Sequence, residues 1–347
     1  MKKILFAVLL LMAPILFLQS KAQAAENVKI NSKNFPDAYF RFYVKASYDQ
    51  NQDGKLSDAE RSVQVLDVGE TSEYRMELEY LPVTSLKGIE YFPDLKELDC
   101  SHSDLTRLDV SKNQKLEKLF CSQNAIKNLQ LAGNKKLQQL DCRENELKKL
   151  DVTNQKELVR LYCDSNRLKK LNLKNNKKLR EVSVSHNQLS KINLRKLVKL
   201  QKFYGDDNRL VRLSTKNNRQ LTELYVNDNR ITTMNLSKNK KLQYLYINNN
   251  CLISGCLMTG YTGMEMVKME GQTKTVKAKK KKGGYLIPVP SLKKTNVISK
   301  VSKGKVKNKG IFVKGKRCPK KITYQYNMFT DGSKKTNVTL NRGKAFL

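Results

Sequence analysis

Histidine is nearly absent from this chain: His102 and His186 are the only two in 347 residues, and tryptophan is missing altogether. Acids are scarce beside bases, with 32 Asp+Glu against 67 Lys+Arg and a formal net charge of +35. No apolar run long enough to cross a bilayer follows Leu18. Each shortage excludes something. The two histidines occupy the same place in repeats four copies apart, ~19 Å at strand spacing, so they share neither a metal nor a proton relay. No Ser-His-Asp or Cys-His constellation and no phosphate-cradling glycine loop is assembled, so catalysis is not expected. No recognition helix, zinc finger or RNA-binding motif accompanies the lysines, so specific nucleic-acid reading is not expected either.

What the chain does have is a period of 21 residues. It runs from LKELDCSHSDLTRLDVSKNQK (95–115) through copies starting at Leu116, Leu137, Leu158, Leu179, Leu200 and Leu221, with a partial eighth at Leu242. A unit this short cannot bury its own apolar face, so copies must stack into a solenoid. Apolar residues fall at positions 1, 4, 6, 11, 14 and 16. The alternation around 4 and 6 is a short strand, and equivalent strands stack in a parallel sheet. Position 9 is Ser103, then Asn124, Asn145, Asn166, Asn187, Asn208, Asn229 and Asn250. An amide recurring where each strand ends serves turn groups that stacking would otherwise bury unpaired.

The spacing L-x-x-L-x-C-x-x-N-x-L-x-x-L resembles leucine-rich repeats. With Cys at position 6 it is similar to the short cysteine-containing repeats of bacterial internalin-like surface proteins. The resemblance covers 63–257, with 63–94 a divergent lead-in. It implies an α/β-type solenoid: a right-handed horseshoe with a parallel β-sheet whose concave face contacts a partner, and no chemistry.

Cys100, Cys121, Cys142 and Cys163 occupy position 6, where later copies carry Val184, Gly205, Val226 and Ile247. Exchange with Val and Ile marks a buried apolar site, and cysteines in a line cannot surround a metal. Free thiols are expected there. Cys251 and Cys256, where the repeats end, are either thiols or a local disulfide.

Lys2 and Lys3, the apolar run Ile4–Leu18 and an A-x-A ending at Ala24 form a secretory signal peptide, residues 1–24. With neither a lipid-attachment cysteine nor an LPxTG motif, the mature chain is expected to be secreted or held non-covalently at the cell surface, without a transmembrane segment. Residues 25–62 form a helical cap, with Phe35, Tyr39, Phe40 and Tyr43 at helical spacing. The helix runs into a twelve-residue loop, Asp49 to Glu60, that resembles an EF-hand. The resemblance implies calcium held by Asp49, Asn51, Asp53, the Lys55 carbonyl, Ser57 and Glu60, with Gly54 at the sharp turn.

Residues 258–347 contain 23 Lys+Arg and 3 Asp+Glu, in short alternating runs that predict a basic β-sandwich-like module. Lys279, Lys280, Lys281 and Lys282 are contiguous, and an anionic cell-envelope polymer is the natural partner of such a field. On the sheet, odd positions point outward, which places Phe120, Tyr162, Tyr204, Tyr225, Tyr244 and Tyr246 on the concave face. Exposed tyrosines combine flat apolar area with a polar tip and suit a protein or glycan ligand.

Overall fold

The computed structural model describes residues 27–69, 83–252, 256–257, 265–276, 279–282, 284–289, 298–307, 310–314, 319–327 and 335–342. The expected signal peptide and Cys318 lie outside these residues, as does the side chain of Cys256.

One ten-stranded parallel sheet organises the chain. It begins at Val65–Asp67, takes one strand from each copy (Glu97–Asp99, Lys118–Phe120, Gln139–Asp141, Arg160–Tyr162, Glu181–Ser183, Lys202–Tyr204, Glu223–Tyr225, Tyr244–Tyr246) and ends at Met266–Lys268. Neighbouring strands pair in register, so each position of the repeat forms a column along the sheet. The column-4 residues Leu98, Leu119, Leu140, Leu161, Val182, Phe203, Leu224 and Leu245 are fully buried, as are the four cysteines of column 6. Burial pushes those thiols well above the usual range. Cys100, Cys142 and Cys163 each donate weakly to the next strand's carbonyl. A single apolar core runs from Val28 to Met269.

The turn after each strand rests on two columns. Column 8 (His102, Gln123, Glu144, Ser165, His186, Asp207, Asp228, Asn249) is left-handed, with φ between 46° and 55° and no glycine among its residues. Column 9 stitches the stack together: Asn166 donates to Cys142 O at 2.9 Å in the preceding copy and accepts from Leu147 N at 2.9 Å. A second amide ladder lies on the opposite edge. Asn113, Asn134, Gln155, Asn176, Asn218 and Asn239, almost fully buried, each donate to two carbonyls of the copy before.

The stack runs past residue 257, where the period ends in the sequence. Met266–Lys268 pairs with Tyr244–Tyr246 as a further rung. Gln272 then does the work of the missing asparagine, donating to Ile247 O at 2.7 Å and accepting from Leu252 N at 3.0 Å. Gln272 also opens the strand Gln272–Val276, the first of the terminal module, so solenoid and module join without a linker. The module is two four-stranded sheets around a separate core that includes Ile287, Ile311, Ile322, Tyr324 and Val338.

At the other end, Asp37 caps the helix Ala38–Tyr48 by accepting from Phe40 N at 2.9 Å. Its second oxygen accepts from Thr84 N and Oγ1, tying the cap to the lead-in. Phe35, Phe40, Tyr48, Tyr91 and Phe92 pack ring to ring and join the cap to the lead-in that precedes the first repeat. Among the described residues no helix is long and apolar enough to cross a membrane.

Candidate functional site

The outward columns of the sheet form one continuous surface with two distinct halves. Toward the C-terminal end, Tyr204, Tyr225 and Tyr246 share column 5 on consecutive strands. Parallel register brings their rings together: Tyr204 and Tyr225 lie 5.1 Å apart between centroids, and Tyr225 and Tyr246 stack at 4.4 Å and 12°. All three are half-buried. Column 3 holds the stack in place. Tyr204 donates to Glu223 at 2.5 Å, and Lys202 bridges the same carboxylate at 2.8 Å. Burial together with the Glu223 bond pushes the Tyr204 hydroxyl far up. Against the burial that would raise it, the Glu223 carboxyl is held below its usual range by Lys202 and Tyr204. Tyr246 abuts the Met266 thioether, on the rung beyond the sequence period.

Tyr244 stands apart from the stack, in column 3, with its hydroxyl on Glu265. Phe120 and Tyr162 are separated from it too, because Ser183 fills column 5 between Tyr162 and Tyr204 and is buried. They line a hollow of about 570 Å³ with Asp99, Ser101, Asp141 and Arg143. There the Arg143 guanidinium grips Asp141, with Nε 3.0 Å from Oδ1, and lies 5.4 Å over the Tyr162 ring. Burial, with Glu181 nearby, pushes the Tyr162 hydroxyl up to about 12. The sequence alone puts Asp141 in column 5 and Arg143 in column 7 of this outward face without singling them out beside the aromatics, and Glu223 was missed. For Glu223 the available signal was the alternation of charge down column 3, Glu181, Lys202 and Glu223.

The Asp49–Glu60 loop is built tightly. Gly54 has φ +75°, and its N–H donates to Asp49 Oδ2 at 3.1 Å. Asn51 accepts from Asp53 N, and Asp53 accepts from Lys55 N. Leu56 is buried, and Lys55–Leu56 pairs antiparallel with Val28–Lys29, a strand from outside the loop. Glu60 closes the capping box of the short helix Asp58–Arg61 and accepts from Gln50 N and from Ser57 N and Oγ. Its carboxyl is thereby held below the usual range, chiefly by Ser57. Among the described residues no three acidic, imidazole or thiol side chains converge at one point. Asp49 is nevertheless buried, and its Oδ1 has no hydrogen-bond partner. An orphaned carboxylate oxygen among other hard oxygen donors fits a cation such as calcium.

Of the contiguous lysines, Lys279–Lys281 form a strand against Gly284–Pro288, in a sheet of the terminal module that is separate from the concave one. Lys279, Lys281 and Lys282 are exposed.

No family model matches the chain, and no curated protein is a significant match. Solved structures do match. Internalin C2 of Listeria monocytogenes superposes with a TM-score of 0.53 at 22% identity, over 71% of this chain and 98% of that one. A leucine-rich repeat protein of Leptospira interrogans gives 0.51 at 21% identity, over 57% of this chain and 51% of that one. The chain thus spans about half that protein's length. Internalin InlF of Listeria monocytogenes gives 0.42 at 19% identity, over 73% and 87%. What the first two structures share with the chain is the fold: a leucine-rich repeat solenoid, with an internalin among its structural neighbours.

Proposed function

We propose that the chain is a secreted or cell-surface binding protein that recognises a protein or glycan of a host or neighbouring cell through its concave face. The supporting observation is the stack of Tyr204, Tyr225 and Tyr246, three rings in van der Waals reach, pre-positioned by strand register and by Glu223. Aromatic side chains already held in place lose little freedom on binding and carry large contact area. Screening the chain on cell-surface protein and glycan arrays, beside Tyr204→Ala/Tyr225→Ala/Tyr246→Ala, tests this. The triple variant is expected to lose its hits by at least about 100-fold, each anchor contributing about 1–2 kcal/mol. Retention of the same hits at the same affinity refutes the assignment. A second reading, retention on an anionic envelope polymer, is supported by the exposed lysines of the terminal module. Raising salt would release a charge-held chain and largely spare an aromatic interface.

The cap loop is proposed to hold structural calcium through Asp49, Asn51, Asp53, the Lys55 carbonyl, Ser57 and Glu60. The ion supplies positive charge that ties the two ends of the loop together beside the first repeat. Glu60 would exchange its capping bonds for the cation. At a hundredfold excess over its dissociation constant the ion adds about 2.7 kcal/mol of stability. Melting in calcium is therefore expected to exceed melting in chelator, and Glu60→Gln to abolish the difference. Equal melting temperatures for the unaltered chain remove the site.

A further inference from the structure

On the convex side, short parallel strands bridge neighbouring copies at two places: Arg107–Asp109 with Asn128–Gln130, and Met234–Asn235 with Cys256–Leu257. Between them no convex strand pairing occurs among the described residues. The surface opens there into a groove of about 1030 Å³ crossing the copies that begin at Leu137, Leu158 and Leu179. Its floor is column 14, Leu150, Leu171 and Ile192, which are buried but retain 8 to 9% of their surface where most core leucines retain none. Its walls are columns 12 and 13: Lys148, Lys149, Lys169, Lys170 and Lys191, all exposed. Among the described residues none of these five makes an ion pair, whereas Arg167 at the edge is paired with Glu146 at 3.1 Å. The one carboxylate in the lining is Asp151.

We propose that this groove binds a linear acidic polysaccharide laid along the solenoid axis. The charge is complementary and concentrated: five unpaired ammonium groups in one concavity focus a positive field. Column 13 supplies one lysine from each of three successive copies, so Lys149, Lys170 and Lys191 offer a row of cations to a chain that carries anions along its length. The apolar floor suits the C–H faces of sugar rings. No aromatic side chain lines the groove, so a nucleic acid would find phosphate partners but no platform for its bases. This site is separate from the tyrosine face and from Lys279–Lys282, and it does not depend on either assignment.

The test is a titration of the chain with a size-defined heparin oligosaccharide, with single-stranded DNA and polyphosphate of matched charge as parallel arms. Lys149→Ser/Lys170→Ser/Lys191→Ser is compared with a variant carrying Ser at 279–282, and melting curves confirm that both fold. The groove variant is expected to lose affinity for the oligosaccharide at least about tenfold, equivalent to about 1.4 kcal/mol. The terminal variant should keep most of it, and the other two polyanions should bind the unaltered chain more weakly. Unchanged affinity in the groove variant overturns the proposal. So does an equal loss in the terminal variant, or DNA or polyphosphate binding as tightly as the oligosaccharide.

Discussion

Asn187→Ala is expected to destabilise the solenoid by about 2–5 kcal/mol although it removes no apolar contact. The side chain donates to Cys163 O at 2.9 Å, to Val184 O at 3.2 Å and to Ser185 O at 3.1 Å, and accepts from Leu168 N at 2.9 Å. Two of these partners belong to the preceding copy. Deleting the amide leaves the Leu168 N–H and the Cys163 carbonyl inside the stack, where water cannot replace the lost bonds, and each such orphan costs about 1–3 kcal/mol. Because each copy is stabilised mainly by its neighbours, the damage is not confined to one rung. Denaturant unfolding measures it, with Lys191→Ser as a surface control that should shift stability by less than about 0.5 kcal/mol. A loss for Asn187→Ala no larger than that of the control contradicts the ladder.

The second large effect comes from Gly205, the one glycine in column 6. Its neighbour in column 4 is Phe203, where most rungs have leucine, and that ring is fully buried. A Cβ at Gly205 would meet Phe203 Cε1 at 2.8 Å and Cζ at 3.1 Å. The ring therefore occupies the space that a column-6 side chain fills elsewhere. Gly205→Val is expected to cost about 1–3 kcal/mol by overpacking. Phe203→Leu alone leaves a void and costs about 1 kcal/mol. Together they recreate the Leu224/Val226 arrangement of the next rung, so the double variant should be near the parent. A double-mutant cycle in denaturant should give at least about 1 kcal/mol of favourable coupling. Additive losses would mean that the ring moves aside for the added methyls.

These two sites mark the limits of what was legible in the chain. The leucine, cysteine and asparagine columns could be read because stacking places every copy in the same environment, so identity recurs where environment recurs. Gly205 read as one more small apolar residue of column 6, because its meaning lies in a pair across the strand rather than in the column. The second amide ladder, from Asn113 to Asn239, sits among lysines and looks like solvated loop until the structure shows its side chains buried. The left-handed turn in column 8 carried no glycine to announce it. The stack's last rung escaped because Gln272 replaces asparagine one residue off the period. At the candidate site the tyrosine stack followed directly from the 21-residue spacing. The pairing of Arg143 with Asp141 and Tyr162 needed coordinates, since columns 5 and 7 of two neighbouring copies contribute to it.

Recognition through the concave face is tested most directly by hydroxyl-radical footprinting of the chain with a partner captured from the array. Tyr204, Tyr225 and Tyr246 are expected to lose reactivity together on binding while residues of the convex side keep theirs. Full reactivity of all three tyrosines in the saturated complex, with protection elsewhere, would contradict it.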